Sequence, residues 1–126
     1  MIKQLMWVGA GGFVGAILRY LISGWGNAIL QNNFPVGTFI VNIVGCLVLG
    51  ILYGISTPLL NYPNLRLFLA TGLLGALTTF STFSLETITL LQGGDLLKAG
   101  TNVVLSIVIG LLAGLAGIAI GRYVIT

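Results

Sequence analysis

The sequence predicts an all-α integral membrane protein with four transmembrane helices per chain, and three observations carry that expectation. The 126 residues are 57% hydrophobic and only 6% charged, with a mean hydropathy of +1.13. A soluble domain needs charge on roughly a quarter of its residues, and five basic and two acidic side chains fall far short of that. The apolar runs are long and unbroken, without the alternation of a strand, which selects helices over a barrel. A span needs about 20 residues, so the length holds four helices with short loops as one unit over residues 1–126, with no extramembrane domain.

The first span is expected over residues 4–27. Its start, M-I-K-Q-L-M-W-V-G-A-G-G, has a basic residue before an apolar run as a signal peptide does, but further spans follow at once, so it reads as a retained helix. Gly11 and Gly15 lie four apart and put small residues on one face, which permits close backbone contact. The glycines are not a dinucleotide fingerprint, because Val14 takes the last glycine position and no strand precedes them. Arg19 sits well inside this span. It either snorkels towards an interface or places a cation on a vestibule or a packed polar group.

Gln31 to Pro35 form the first turn, and the second span is expected over 36–56. Thr38 and Asn42 are four apart and share a face. Asn42 is either glue between helices or a pore group. Gly50 and Gly54 form a second close-packing pair, and Thr57 to Leu65 a loop. The third span, 66–92, combines Gly72 and Gly75 with Thr78 and Thr79, so an interruption is expected near Gly75 to Thr79, with freed carbonyls facing protein or a bound cation. After a turn at Gly93, Gly94 and Asp95, the fourth span covers 97–123. Its Gly110/Gly114 and Gly117/Gly121 pairs mark a tightly packed face, and Asn102 and Ser106 are its conspicuous polar residues.

A net charge of +3 is too small and dispersed for nucleic acid. With no histidine and one cysteine, Cys46, the chain has no conventional zinc, haem or iron–sulfur set, and Cys46 reads as a packing residue. No nucleophile–base or metal constellation marks an enzyme. Four spans put Lys3, Arg66 and Arg122 on one side and Lys98, with Asp95, on the other. Placing Arg19 with Lys98 leaves the bias nearly balanced, so such chains can insert both ways and pair antiparallel.

The chemistry concentrates in G-L-L-G-A-L-T-T-F-S-T-F-S-L-E, residues 72–86. Hydroxyls in an apolar setting need partners: backbone carbonyls, a second subunit, water or a transported ion. Any single one bonds most simply to the carbonyl four residues back. Hydroxyl and amide donors also replace the hydration shell of a small, hard anion. Phenylalanine edges carry the positive end of the ring quadrupole and the faces the negative end, so ring orientation decides the sign of ion favoured.

Three segments together resemble the Fluc/CrcB family of bacterial fluoride channels: G-G-F-V-G-A-I-L-R-Y at 11–20, P-V-G-T-F-I-V-N at 35–42 and G-A-L-T-T-F-S-T-F-S-L-E at 75–86. The resemblance implies an antiparallel, dual-topology homodimer in the inner membrane. Two pores would conduct fluoride passively and protect the cell from its toxicity, and a structural sodium ion would sit at the interface. It implies that Phe80 and Phe83 meet fluoride, that Asn42 is the pore asparagine, and that Ser81, Thr82 and Thr38 supply donors. The carbonyls of Gly75 and Thr78 would bind sodium, while Arg19 and Glu86 match the family's arginine and glutamate. Family members commonly carry a hydroxyl track on the fourth helix beginning beside a glycine like Gly110. Here L-L-A-G-L-A-G follows, so either the donors come from elsewhere, or conduction is altered or one pore does not conduct, with an obligate heterodimer of paired homologues as a further alternative. Glu86 is an interface anchor or a group at the end of the path. The main rival is a proton-coupled exporter of small organic cations like the small multidrug resistance transporters, for which Glu86 is the candidate carboxylate. A purely structural membrane subunit is a second rival.

Overall fold

Backbone polar groups cannot be left unpaired in hydrocarbon, and the chain accordingly folds almost entirely into helix. The computed structural model describes residues 1–29, 33–55 and 62–125. Helix α1 is Ile2–Ile29 and α2 is Val36–Gly54. The third span is composite: α3 (Pro63–Arg66), a π-helical stretch (Leu67–Leu74), α4 (Gly75–Leu77) and α5 (Phe80–Gln92). Helix α6 is Leu96–Ile125. Four helical runs, Ile2–Ile29, Val36–Gly54, Pro63–Gln92 and Leu96–Val124, are long and apolar enough to cross a membrane. Residues 31 and 32 of the expected first turn, and 57–61 of the expected second loop, lie outside the described residues.

The glycines explain which helices meet. Helix α2 lies along α6 with backbone against backbone. A Cβ at Gly50 would collide with Gly114 O and stand 3.1 Å from Gly117 Cα, and one at Gly54 would stand 2.8 Å from Gly121 Cα. The small-residue pairs expected on spans two and four therefore face each other within one chain, where only glycine lets the axes approach so closely. Helix α1 uses Gly11 and Gly15 in the same way against the π-helical stretch, whose Phe68 and Leu73 backbone would meet any Cβ there. Trp7 closes this contact edge-on to Phe68, with ring centroids 6.2 Å apart. Helices α5 and α6 join through a tight turn in which Gly94 takes the left-handed region, φ 81°. Beside it Lys98 and Asp95 form a partly exposed pair at 2.9 Å, worth about 0–1 kcal/mol.

Few side chains are fully enclosed. Val41, Leu74 and Leu77 form the buried cluster, with Ile22, Val48, Leu52 and Leu73 packed on it, while large apolar residues of every span face outward. That surface suits lipid or a second copy and would be untenable in water.

The interruption falls within the expected stretch, Gly75 to Thr79, at its last two residues, and its cause is not the glycines. Gly75 is helical (φ −63°, ψ −33°), and the extended residues are Thr78 (φ −77°, ψ 153°) and Thr79 (φ −150°, ψ 121°). Gly72 serves packing instead of breaking the helix: a Cβ there would stand 2.6 Å from Val8 O and 2.9 Å from Gly11 Cα.

Candidate functional site

The break is made by a side chain from another helix. Asn42 of α2 pairs with both backbone groups of Thr79, accepting from its N–H at 2.8 Å and donating from Nδ2 to its carbonyl at 3.1 Å. An amide presents the same donor and acceptor as a peptide, so it satisfies what the helix gives up. Gly45, one turn further along α2, makes room: a Cβ there would collide with Thr78 Cγ2. Thr79 then caps α5, its Oγ1 accepting from Thr82 N at 3.2 Å.

Two diverted donors leave carbonyls behind. Thr79 N–H, which a continuous helix would send to Gly75 O, goes to Asn42, and Thr82 N–H, which would go to Thr78 O, goes to Thr79 Oγ1. Gly75 is exposed on the outer surface of the chain. These are the two carbonyl oxygens that the family resemblance assigned to sodium.

The hydroxyls divide into two groups. Thr78, Ser84, Thr87 and Thr89 bond to the carbonyl four residues back, at 2.9, 2.9, 2.8 and 2.9 Å, the ordinary fate of a hydroxyl in a membrane helix. Thr79, Ser81 and Thr82 instead bond one another: Thr79 Oγ1 donates to Thr82 Oγ1 at 3.0 Å and lies 3.3 Å from Ser81 Oγ. With that arrangement the proton of Thr82 has no acceptor among the described hydrogen bonds.

A cavity of about 340 Å³ opens beside the break and is lined by Asn42, Gly75, Thr78, Thr79, Phe80, Phe83, Cys46 and Ser106, among others. It brings together the asparagine, both phenylalanines and both carbonyl-bearing residues. Phe80 is 80% exposed and stands 5.8 Å from Phe83, the ring planes inclined at 41°. Cys46 is thus on a cavity wall as well as packed near Gly110. Ser106 was noted in the sequence without a role. The family's hydroxyl track would run forward from Gly110, whereas Ser106 lines this cavity four residues before it.

Thr38 and Glu86 form a separate pair. Thr38 is 3% exposed and donates its hydroxyl to Glu86 Oε1 at 2.7 Å. Its proton is committed, so Thr38 holds Glu86 and does not act as a free donor in the cavity. Glu86 lines a second, wider pocket of about 800 Å³ with Asn27, Asn33, Pro35, Thr89 and Asp95. Asn27 joins α1 to the start of α2 by accepting from Gly37 N at 2.9 Å. Arg19 is half-buried on α1, lines neither pocket, and has no ion pair among the described residues.

Of the expected site residues, Asn42, Gly75, Thr78, Phe80 and Phe83 line the cavity, Ser81 and Thr82 sit at the Thr79 cap beside it, Glu86 lines the wider pocket with Thr38 bonded to it, and Arg19 lies apart from both. The pairing of Thr79 with Asn42 and of Asn102 with Thr87 could not be read from spacing. The pattern T-x-x-T at Thr79 and Thr82 was the available signal for the cap.

Comparison with known proteins identifies the family. The family described as CrcB-like protein, Camphor Resistance (CrcB), matches residues 6–118. A protein of Clostridium novyi named fluoride-specific ion channel FluC is 47% identical over 119 residues, covering 93% of this chain and 92% of its own. Proteins of the same name from a Sulfurovum species and from Geotalea daltonii are 48% and 42% identical, covering 90% and 97% of this chain and 89% and 99% of theirs. A family match across nearly every span, with relatives aligned end to end, places this multi-pass membrane chain in the CrcB-like family.

Proposed function

We propose that the chain forms a fluoride-selective channel that lets fluoride leave the bacterial cell passively and so protects it from fluoride toxicity. The pores lie at the interface of an antiparallel, dual-topology homodimer in the inner membrane. The observation that carries this reading is the helix break at Thr78 and Thr79, held open by Asn42 and opening on a cavity shared with Phe80 and Phe83. The names of the relatives point the same way.

Fluoride is small and strongly hydrated, so a path must replace its water with donors. Asn42 spends one amide hydrogen on Thr79 O and keeps the other. Thr82 keeps its hydroxyl proton, and Ser81 stands beside it at the exposed start of α5. Phe80 and Phe83 line the cavity, where a ring edge turned to the ion favours an anion. Among the described residues no acidic side chain lines this cavity, which favours an anion over a cation. Arg19 and Glu86, away from the cavity, act on the approaches.

A sodium ion shared by two copies fits the freed carbonyls of Gly75 and Thr78, since a hard cation takes oxygen ligands and both atoms have lost their helical donors. When bound it would hold the two broken helices together.

The test is ion efflux from liposomes containing only this purified chain, read with fluoride and chloride electrodes. Rapid loss of fluoride but not chloride is expected, and Phe80→Ile or Phe83→Ile should abolish it. A folded dimer that passes no fluoride alone but does so with a paired homologue would replace the homodimer with a heterodimer. Saturable, pH-coupled transport of an organic cation, lost in Glu86→Gln, would overturn the channel.

A further inference from the structure

We propose that Asn102 is a positioning residue for the fluoride path: it ties α5 to α6 and so sets where Phe83 stands in the cavity. The inference rests on the channel reading above. Helix α5 carries both phenylalanines, yet it starts after a break, and Leu90 is the one residue along it that is fully buried. Apolar packing has little advantage over lipid contact inside a bilayer, so polar ties decide where such a helix sits. Three reach it among the described hydrogen bonds. Asn42 holds the backbone of Thr79 at its cap, and Thr38 holds Glu86, both from α2. The third comes from α6, where Asn102 Nδ2 donates to Thr87 Oγ1 at 2.9 Å.

Asn102 is 1% exposed, the most deeply buried polar side chain described. A buried amide is costly unless it is bonded, and here both ends are used: Oδ1 accepts from Ser106 Oγ at 3.5 Å. Thr87 acts as a relay, because the hydroxyl that accepts from Asn102 donates in turn to Phe83 O at 2.8 Å. The amide is thereby linked to the turn that bears Phe83 and to Ser106, and both of these line the cavity while Asn102 and Thr87 do not.

Fluoride efflux from liposomes would be compared for the wild type, Asn102→Leu, Thr87→Val, the double variant and Thr87→Ser, with each dimer checked by gel filtration. Each single variant should slow efflux about tenfold, as expected when one partner of a buried hydrogen bond is lost. The double variant should be no slower than either single, because one coupling is removed in all three. Thr87→Ser keeps the relay and should conduct like the wild type. Slow efflux in Asn102→Leu alone, with Thr87→Val unaffected, would mean that Asn102 meets the ion itself and would overturn the positioning role. Unchanged efflux in both singles would reduce the contact to packing. If Asn102→Leu does not fold, the contrast between Thr87→Val and Thr87→Ser still decides. A folded wild type that passes no fluoride, either alone or with a paired homologue, overturns the channel reading and this inference with it.

Discussion

Asn42→Leu should abolish fluoride efflux and lower the stability of the folded chain more than any other single substitution in the cavity. Leucine keeps the branch at Cγ, with methyls in place of Oδ1 and Nδ2, so the substitution leaves no cavity and removes the hydrogen bonds. It strips Thr79 of partners for both its N–H and its carbonyl in an apolar setting. Each unsatisfied buried group costs about 1–3 kcal/mol, so the pair costs about 2–6 kcal/mol. The cheapest response is for Thr78 and Thr79 to rejoin the helix, returning the donor to Gly75 O. That closes the break, rotates Phe80 and Phe83 away from the cavity, and removes the carbonyl proposed for sodium. Thermal unfolding in detergent and efflux from liposomes check the two parts separately. Wild-type efflux in Asn42→Leu would show that the break does not depend on Asn42, and the proposed path would fail with it.

Gly117→Val should prevent the chain from accumulating as a folded protein at all. A Cβ at this position would overlap Leu47 O and stand 2.9 Å from Ile51 N and 3.0 Å from Gly50 Cα. These are backbone atoms of α2, so no side chain can turn aside, and α2 would have to separate from α6 along the length they share. Overpacking a well-fitted interface costs about 1–3 kcal/mol even where side chains can move, and here they cannot. Membrane expression followed by gel filtration checks the outcome, with aggregate or loss of protein expected. Gly100→Ala is the matched control on the same helix. Nothing lies within 4 Å of a Cβ at Gly100, so its yield and efflux should equal the wild type. A well-behaved Gly117→Val dimer would mean that the close approach of α2 and α6 is misplaced.

Both predictions mark where reading the sequence was enough and where it was not. The small-residue pairs Gly50/Gly54 and Gly117/Gly121 were visible because a helix repeats its face every three to four residues, a property of local geometry. That these pairs would meet each other, instead of facing another subunit, was not encoded locally. The break shows the same division. Gly72 and Gly75 signalled a weakened helix near the right place, but a glycine used for close packing and one used for breaking look alike in sequence. Gly72 proved to be the former, and Gly75 stayed helical. The π-helical stretch at Leu67–Leu74 has no compositional mark, since L-F-L-A-T-G-L-L reads as any apolar helix.

The sequence by itself determined the membrane class, the four spans, the balanced charge and the polar set of Asn42, Thr79, Ser81, Thr82, Phe80 and Phe83. Each follows from composition or from spacing within one helix, where hydrophobicity and periodicity act over a few neighbours. The tertiary structure alone decided what those groups do to one another. Asn42 and Thr79 are 37 residues apart and Thr38 and Glu86 48 apart, and Asn102 meets Thr87 across the last turn. Such hydrogen bonds depend on how helices are docked, and in a bilayer docking is set by backbone fit at glycines before any polar pair can form.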